Sequence, residues 1–249
     1  MIHLSALMCP AHRSAVLKRV KAALNAGSPC RLVSTQLVEA GVDIDFPVVY
    51  RALAGLDSVV QAAGRCNREG RLNCGRVVVY QAPTDPPPGT PQRAAETTRS
   101  LLNEKGSELD PNDPALFDIY FRMLYHTGHL DARGIQALCE GFNFATVAKR
   151  FRLIEDQFSQ TVIVPYGEGP TRLDALHEQG PSRKTLRALQ PYTVNIYSRS
   201  FEQLVDAGAL EEISERLFAL APGFEHLYDD SFGLMDGDEP RANPGSLIV

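Results

Sequence analysis

Two short segments hold residues of the right type and spacing for phosphate chemistry. The first is Gln61-Ala62-Ala63-Gly64-Arg65-Cys66-Asn67-Arg68-Glu69-Gly70. Arg65 and Arg68 are three apart, so on a helical turn both project to one side. Gly64 removes a side chain just before the first arginine, which lets another backbone or a phosphate come close. Two forked guanidiniums on one side give charge stabilisation with fixed geometry, as a transferring phosphoryl group requires. Arg71 and Arg76 extend the basic face. The plainer alternative is a solvated surface on which Arg65 and Arg68 pair with Glu69 or Asp57.

The second segment runs from Ser34 to Phe46, STQLVEAGVDIDF. Ser34 and Thr35 end a predicted strand, where an α/β sheet presents its ligands. Their hydroxyls and the following N–H groups can hold a phosphate of a nucleic-acid backbone. Gly41 allows a tight turn, and Asp43 behind it can accept a hydrogen bond from a ribose hydroxyl. The alternative is structural, with Ser34 and Thr35 as a helix N-cap and Asp43 as a turn residue.

The elements that must position these residues are legible in the first half. Ile2–Met8 is a short apolar run ending at Cys9-Pro10. Val16, Leu17, Val20 and Leu24 repeat at helical spacing over residues 11–26, and Asn25-Ala26-Gly27-Ser28-Pro29 stops that helix. Cys30–Ser34, Phe46–Tyr50 and Arg76–Tyr80 read as strands, and Asp57–Cys66 as a helix. This alternation is that of a parallel α/β sheet. Pro83 to Pro91 (PTDPPPGTP) cannot continue a helix or a central strand. The expected organisation is therefore a domain over 1–83, a Pro-rich linker over 84–91 and a second domain over 92–249. In the latter, helices are expected over 92–105, 114–126, 131–140, 170–178, 182–189, 200–207 and 209–220. Strands are expected at Gln160–Pro165 and Thr193–Ser198, and a loop from Asp229 onward.

Composition bounds the answer. The chain has 249 residues and a net charge of −5, with 44% hydrophobic residues. That is a globular composition, and no apolar run approaches a membrane span. The N-terminus lacks a secretory signal, and five unevenly spaced cysteines point to reduced thiols in a cytoplasm. Residues 1–83 carry ten Lys and Arg against five Asp and Glu, so they net +5. The remaining residues carry fifteen against twenty-five and net −10. A basic half is the candidate partner for phosphate or nucleic acid.

Taken together, S-T-x-x-x-E-x-G-x-D and Q-x-x-G-R-x-x-R resemble motifs V and VI of superfamily 2 helicases. The longer string over 34–70, STQLVEAGVDIDFPVVYRALAGLDSVVQAAGRCNREG, is similar to the CRISPR-associated helicase–nuclease of type I systems, near its type I-C branch. HLSALMCPAHR resembles the stretch between that family's motifs IV and V. FATVAKRFRLIEDQFSQTVIVPYG, PSRKTLRALQPYTVNIY and YDDSFGL resemble its C-terminal accessory domain.

The resemblance implies an α/β fold. It consists of a RecA-like parallel-sheet lobe lacking its first strand and helix, then a mixed, mainly α accessory domain. It implies Arg68 as arginine finger on the γ-phosphate of ATP, Arg65 as its neighbour, and Gln61 setting the finger and contacting nucleotide or water. Gly41 and Asp43 would meet the ribose side, Gly64 the nucleotide, and Ser34 and Thr35 the DNA backbone. It also implies as partners single-stranded DNA, an RNA-guided surveillance complex, and a first lobe and nuclease domain in cis or in trans.

The 249 residues contain no G-x-x-x-x-G-K-[ST] loop, no DEAH-like box and no His-Asp doublet. ATP would thus be shared with a first lobe, Mg²⁺ would be held only through that lobe, and this chain alone would hydrolyse no ATP. His126 and His129 suit a helix face but lack further ligands, and Cys66 and Cys74 lack a companion pair, so no metal site is expected. Cys9 is read as a buried helix-start cysteine. G-x-G-x-x-G and G-x-S-x-G are absent, which removes a Rossmann dehydrogenase and an α/β hydrolase. Two readings stand: the C-terminal portion of an ATP-dependent DNA helicase–nuclease of CRISPR interference, or a non-catalytic module that docks on the surveillance complex through its −10 half.

Overall fold

Proline in a first helical turn costs no hydrogen bond, and Pro10 opens the first helix. A computed structural model describes residues 1–39, 41–106, 110–111, 113–126, 131–151 and 159–235. In chain order the first elements are β1 (Ile2–Leu4), α1 (Pro10–Asn25), β2 (Leu32–Ser34), β3 (Val48–Ala52), α2 (Leu56–Ala63) and β4 (Arg76–Tyr80). They are followed by α3 (Thr90–Lys105), α4 (Pro114–His126), α5 (Ile135–Glu140), α6 (Phe144–Arg150) and β5 (Ser159–Ile163). The rest are α7 (Gly169–Gln179), α8 (Arg183–Leu189), β6 (Thr193–Tyr197), α9 (Ser198–Asp206), β7 (Leu210–Ser214), β8 (Leu217–Leu220), β9 (Tyr228–Asp229) and β10 (Gly233–Leu234). The α/β class expected from the sequence is observed.

Packing divides the chain into Met1–Leu37 with Glu155–Val249, and Val38–Ile154. The four strands of the first half therefore form two parallel pairs, β1 with β2 in one unit and β3 with β4 in the other. The Pro-rich segment 84–91 joins β4 to α3 inside the second unit. There Leu56 of α2 shares one core with Ala94 and Leu101 of α3 and Leu116, Tyr120 and Leu124 of α4. The reason lies in α2: Leu56 and Val60 need a cover, and the apolar stripes of α3 and α4 supply it. Asp113 accepts the Ala115 N–H at 2.9 Å and starts α4, as its place between two prolines predicted.

In the first unit a four-stranded sheet has the order β6-β5-β8-β7. β5 pairs antiparallel with β6 and parallel with β8. Val162, Val164, Val194, Ile196, Leu204 and Leu220 form its core with Cys9, Tyr228 and Leu234. Residues 209–220, expected as a helix, form the β7–β8 hairpin, with Arg216 at φ 62° in the turn. Leu210, Ile213, Leu217 and Leu220 satisfy helical spacing as sequence. Pairing of Leu217–Ala219 with Thr161–Ile163 overrides that pattern. The expected helix over 131–140 is confined to Ile135–Glu140, because Gly134 takes a left-handed φ of 63° and Asp131 caps the helix start. The expected loop from Asp229 includes β10, whose Leu234 is fully buried. His129 lies outside the described residues. Among the described residues no helix is long and apolar enough to cross a membrane.

The C-terminal hairpin closes on the N-terminal segment. Leu234 N–H donates to the Leu7 carbonyl at 2.8 Å. Gly233 has φ 87°, and a Cβ there would lie 2.3 Å from the Leu7 carbonyl oxygen. Gly233→Ala is expected to destabilise the fold by roughly 2–3 kcal/mol, read from urea unfolding. An unchanged midpoint would contradict the clasp.

Cys9, which is buried, donates its N–H to Tyr228 Oη at 3.0 Å, and that oxygen lies 2.9 Å from His12 Nδ1. The hydroxyl thus joins the backbone of Cys9 to the imidazole of His12. His12 also stacks on Tyr166 with centroids 4.3 Å apart. Burial holds its imidazole below the ordinary value of 6.5, aided by Arg19 and opposed by Asp230 and Asp229. The unfolded chain therefore binds the proton first. Stability is full above about pH 6.5 and falls below it, by at most about 1.4 kcal/mol per pH unit for one group. Urea midpoints at pH 7.5 and 5.5 should show this loss, reduced in His12→Gln.

Candidate functional site

α2 ends at Ala63, with Gly64 as its C-cap, so Arg65 and Arg68 stand in a loop rather than on a helical turn. Their jobs consequently differ. Arg65 donates from Nε to the Val38 carbonyl and from Nη2 to the Glu39 carbonyl, both at 2.8 Å. It fastens the second segment to the first. Beside it, Phe46 N–H donates to the Arg65 carbonyl and Asn67 N–H to the Phe46 carbonyl, each at 2.9 Å. This one-residue parallel bridge makes the fastening double.

Arg68 keeps an accessible guanidinium, its side chain 42% exposed. Nη1 lies 3.3 Å from Asp43 Oδ1 and 3.4 Å from the Val42 carbonyl. Both contacts are long. Its backbone is held more firmly: Arg68 N–H donates to Asp45 Oδ1 at 2.7 Å and Glu69 N–H to Oδ2 at 3.4 Å. Asn67, at φ 49°, closes the loop with its amide. Nδ2 donates to the Leu72 carbonyl and Oδ1 accepts the Leu72 N–H, both at 2.8 Å. Arg71, not Arg68, pairs with Glu69. Asp57 accepts from Tyr120 Oη at 3.0 Å, and that hydrogen bond together with burial pushes the phenol upward.

Of the expected residues Arg68 meets Asp43, while Arg65 holds the carbonyls of Val38 and Glu39. Gly41 has φ 72°, a left-handed backbone that glycine adopts without strain. Gln61 is exposed near the end of α2. At Gly64 the Gln61 and Val60 carbonyls would lie 3.3 and 3.7 Å from a Cβ. Ser34 and Thr35 belong to the other packing unit. Ser34 Oγ donates to the Thr35 carbonyl at 2.9 Å, and Thr35 N–H donates to the Leu4 carbonyl at 3.2 Å.

Sequence reasoning missed Glu39, Arg51, Ser58, Asp45 and Asn67. Glu39 accepts Arg51 Nη2 at 2.8 Å and Ser58 Oγ at 2.9 Å. The Arg51 and Glu39 side chains are 19% and 11% exposed, so desolvation strengthens the pair. Glu39 and Asp45 stand within the motif string and were findable there. Asn67 had only its tolerance of left-handed backbone as a signal. Cys66 lies 3.4 Å from the Arg76 carbonyl and 3.5 Å from that of Pro47, and burial pushes its thiol up.

Among the described residues no three His, Cys, Asp or Glu side chains converge as metal ligands. A cleft of about 390 Å³ lined by His12, Arg19, Tyr166 and Asp230 contains none of the candidate residues.

Comparison with known proteins bears on this cluster. Residues 1–71 match the family model described as CRISPR-associated nuclease/helicase Cas3, C-terminal. A CRISPR-associated nuclease/helicase Cas3 of Haloferax volcanii is 50% identical over 70 residues, which is 26% of this chain and 8% of that protein. A crystal structure of T. fusca Cas3-ATP matches over 88% of this chain and 32% of that one, with TM-score 0.56 and 15% identity. T. fusca Cas3 alone matches with TM-score 0.53 and 17% identity over the same shares. The chain thus spans about a third of the solved structures it matches. Residues 1–71, which include the arginine loop, are thus similar in sequence to the C-terminal part of Cas3, and the chain shares the fold of the solved Cas3 structures.

Proposed function

We propose that this chain supplies the motif V and motif VI half of the ATPase of a Cas3-type DNA helicase–nuclease, of the type I-C branch. The observation that carries the reading is the division of labour between the two arginines. One is consumed in bracing the loop, and the other is held by its backbone with its guanidinium accessible.

The residues fit a nucleoside triphosphate. An exposed Arg–Asp pair is worth under about 1 kcal/mol, so Arg68 can leave Asp43 for a phosphoryl oxygen at little cost. ATP bound against a first lobe, with Mg²⁺ on that lobe, supplies the phosphoryl group. Arg68 donates to the γ-phosphoryl oxygens as charge develops there. Asp43, released from Arg68, accepts from a ribose hydroxyl, and the Gly41 turn lets the sugar approach. Arg65, Asp45 and Asn67 position the finger. Gln61 orients the attacking water, and Gly64 lies at the nucleotide's edge. Ser34 and Thr35 hold the DNA backbone, so movement of the finger-bearing lobe couples hydrolysis to translocation along single-stranded DNA. The acidic half docks on the RNA-guided surveillance complex, and guide pairing selects the target.

In a protein carrying both lobes, Arg68→Ala should lower DNA-stimulated ATPase kcat by about a thousandfold or more. Arg68→Lys should not restore it, because a point charge lacks the fork. Unchanged turnover in Arg68→Ala sinks the proposal. Asp45→Ala should cost about 10–100-fold through misplacement of the finger, with ADP affinity retained. The 249 residues alone should release no phosphate from ATP, and measured turnover would contradict the shared site.

A further inference from the structure

Cys66 stands inside the arginine loop, between Arg65 and Arg68, and Cys74 stands just before β4. Their spacing alone says little. The closure of the loop brings them together. The Asn67 amide grips both backbone groups of Leu72, and Gly70 N–H donates to the Asn67 carbonyl at 3.0 Å. Residues 67–72 thus form a closed turn, with Cys66 at one foot and Cys74 near the other. The chain then runs directly against Cys66 at Gly75. A Cβ on Gly75 would lie 2.7 Å from Cys66 Sγ, 2.8 Å from Asn67 Cβ and 3.4 Å from the Cys66 carbonyl carbon. Glycine alone permits so close a passage.

Cys74 is the chain neighbour of that glycine, with its Sγ 3.3 Å from the Gly75 carbonyl oxygen. The two thiols therefore flank a residue that puts no side chain between them, near enough for each to feel the other's charge. Their surroundings differ. Cys74 is exposed, whereas Cys66 is half-buried with its Sγ against the carbonyls of Arg76 and Pro47. Two thiols with no third ligand converging among the described residues do not make a zinc site. They do make a pair for thiol–disulfide exchange, in which an outside molecule reaches the exposed member first.

We propose that Cys66 and Cys74 are a reversible dithiol, oxidised by a low-molecular-weight disulfide to a bond that closes residues 66–74 into a ring around Arg68. The Cys74 thiolate attacks one sulfur of the small disulfide, an S–S bond forms there, and the other half leaves as a thiolate. The Cys66 sulfur then attacks the Cys74 sulfur, and the second half leaves. Two electrons pass from the cysteine sulfurs to the small disulfide, which becomes two thiols with the two protons the cysteines release. A reducing compartment returns the dithiol. To reach Cys74, the Cys66 sulfur turns away from the carbonyls of Arg76 and Pro47, two residues from the N–H that Asp45 holds. Oxidation thus staples the loop and shifts the Arg68 backbone. Its effect on catalysis rests on the helicase reading, whereas the bond itself does not.

The test is incubation of the full 249-residue chain with oxidised glutathione, followed by peptide mapping in a mass spectrometer. The expected product links Cys66 to Cys74 with loss of two hydrogens, and dithiothreitol reverses it. Cys66→Ser should stop at a glutathione adduct on Cys74, and Cys74→Ser should form no link. Trypsin should cut after Arg68 and Arg71 about tenfold more slowly in the oxidised chain, because the ring resists opening. In a protein carrying both lobes, oxidation should lower DNA-stimulated ATPase about 10–100-fold, as a finger displaced by about 1 Å would. Dithiothreitol should restore it, and Cys74→Ser should be insensitive. Separate adducts without a link, a link to another cysteine in its place, or unchanged trypsin cleavage each overturns the proposal. An ATPase indifferent to oxidation overturns the effect on the finger. Unchanged turnover in Arg68→Ala counts against the helicase reading and leaves the bond standing.

Discussion

The fork of Arg65, spread over the carbonyls of Val38 and Glu39, is the contact on which the arginine loop depends. It joins residues 38–39 to residues 64–70, far apart in sequence, with one planar group. A lysine could not reach both carbonyls at once. From that anchor the rest follows by short steps. The Phe46–Cys66 bridge sets the register, Asp45 collects the two N–H groups of Arg68 and Glu69, and Asn67 closes the turn. Glu39 is fixed in turn by Arg51 and Ser58, so the carbonyl that Arg65 grips is itself held. The result is an accessible guanidinium on a backbone fixed by Asp45, with a long, exposed contact to Asp43.

The two packing units show how local and distant signals share the fold. The Pro-rich segment reads as a boundary because proline interrupts regular structure. Yet Leu56 and Val60 demand a cover that α3 and α4 supply from beyond it. Proline ends an element without ending a core. In the other unit the C-terminal hairpin seals against the N-terminal segment, with Gly233 set where only a hydrogen fits and Tyr228 bridging Cys9 and His12.

Much of this was legible in the sequence. The helix over 114–126 and the strand over 76–80 appear as read, since an N-cap between prolines and a run of β-branched residues are local signals. Residues 209–220 were not legible. Their spacing fits a helix, and the strand pairing that decides otherwise comes from Thr161–Ile163. At the candidate site, the types and proximity of Arg65 and Arg68 were readable, but their separate tasks were not. Those depend on α2 ending at Ala63 and on Asn67 adopting a left-handed backbone. Asp45 stands in the motif string, but its task of accepting the backbone N–H groups of Arg68 and Glu69 has no spacing signature.

The central claim is that Arg68 meets the γ-phosphoryl group and not the nucleotide at large. The direct measurement is the affinity of a two-lobed protein carrying Arg68→Gln for ADP and for ADP with aluminium fluoride, which mimics the transferring group. Retained ADP affinity with about a thousandfold loss for the fluoride complex is the expected result. Equal affinities of variant and wild type for the fluoride complex, or an equal loss for both ligands, would contradict the role of Arg68 as the finger.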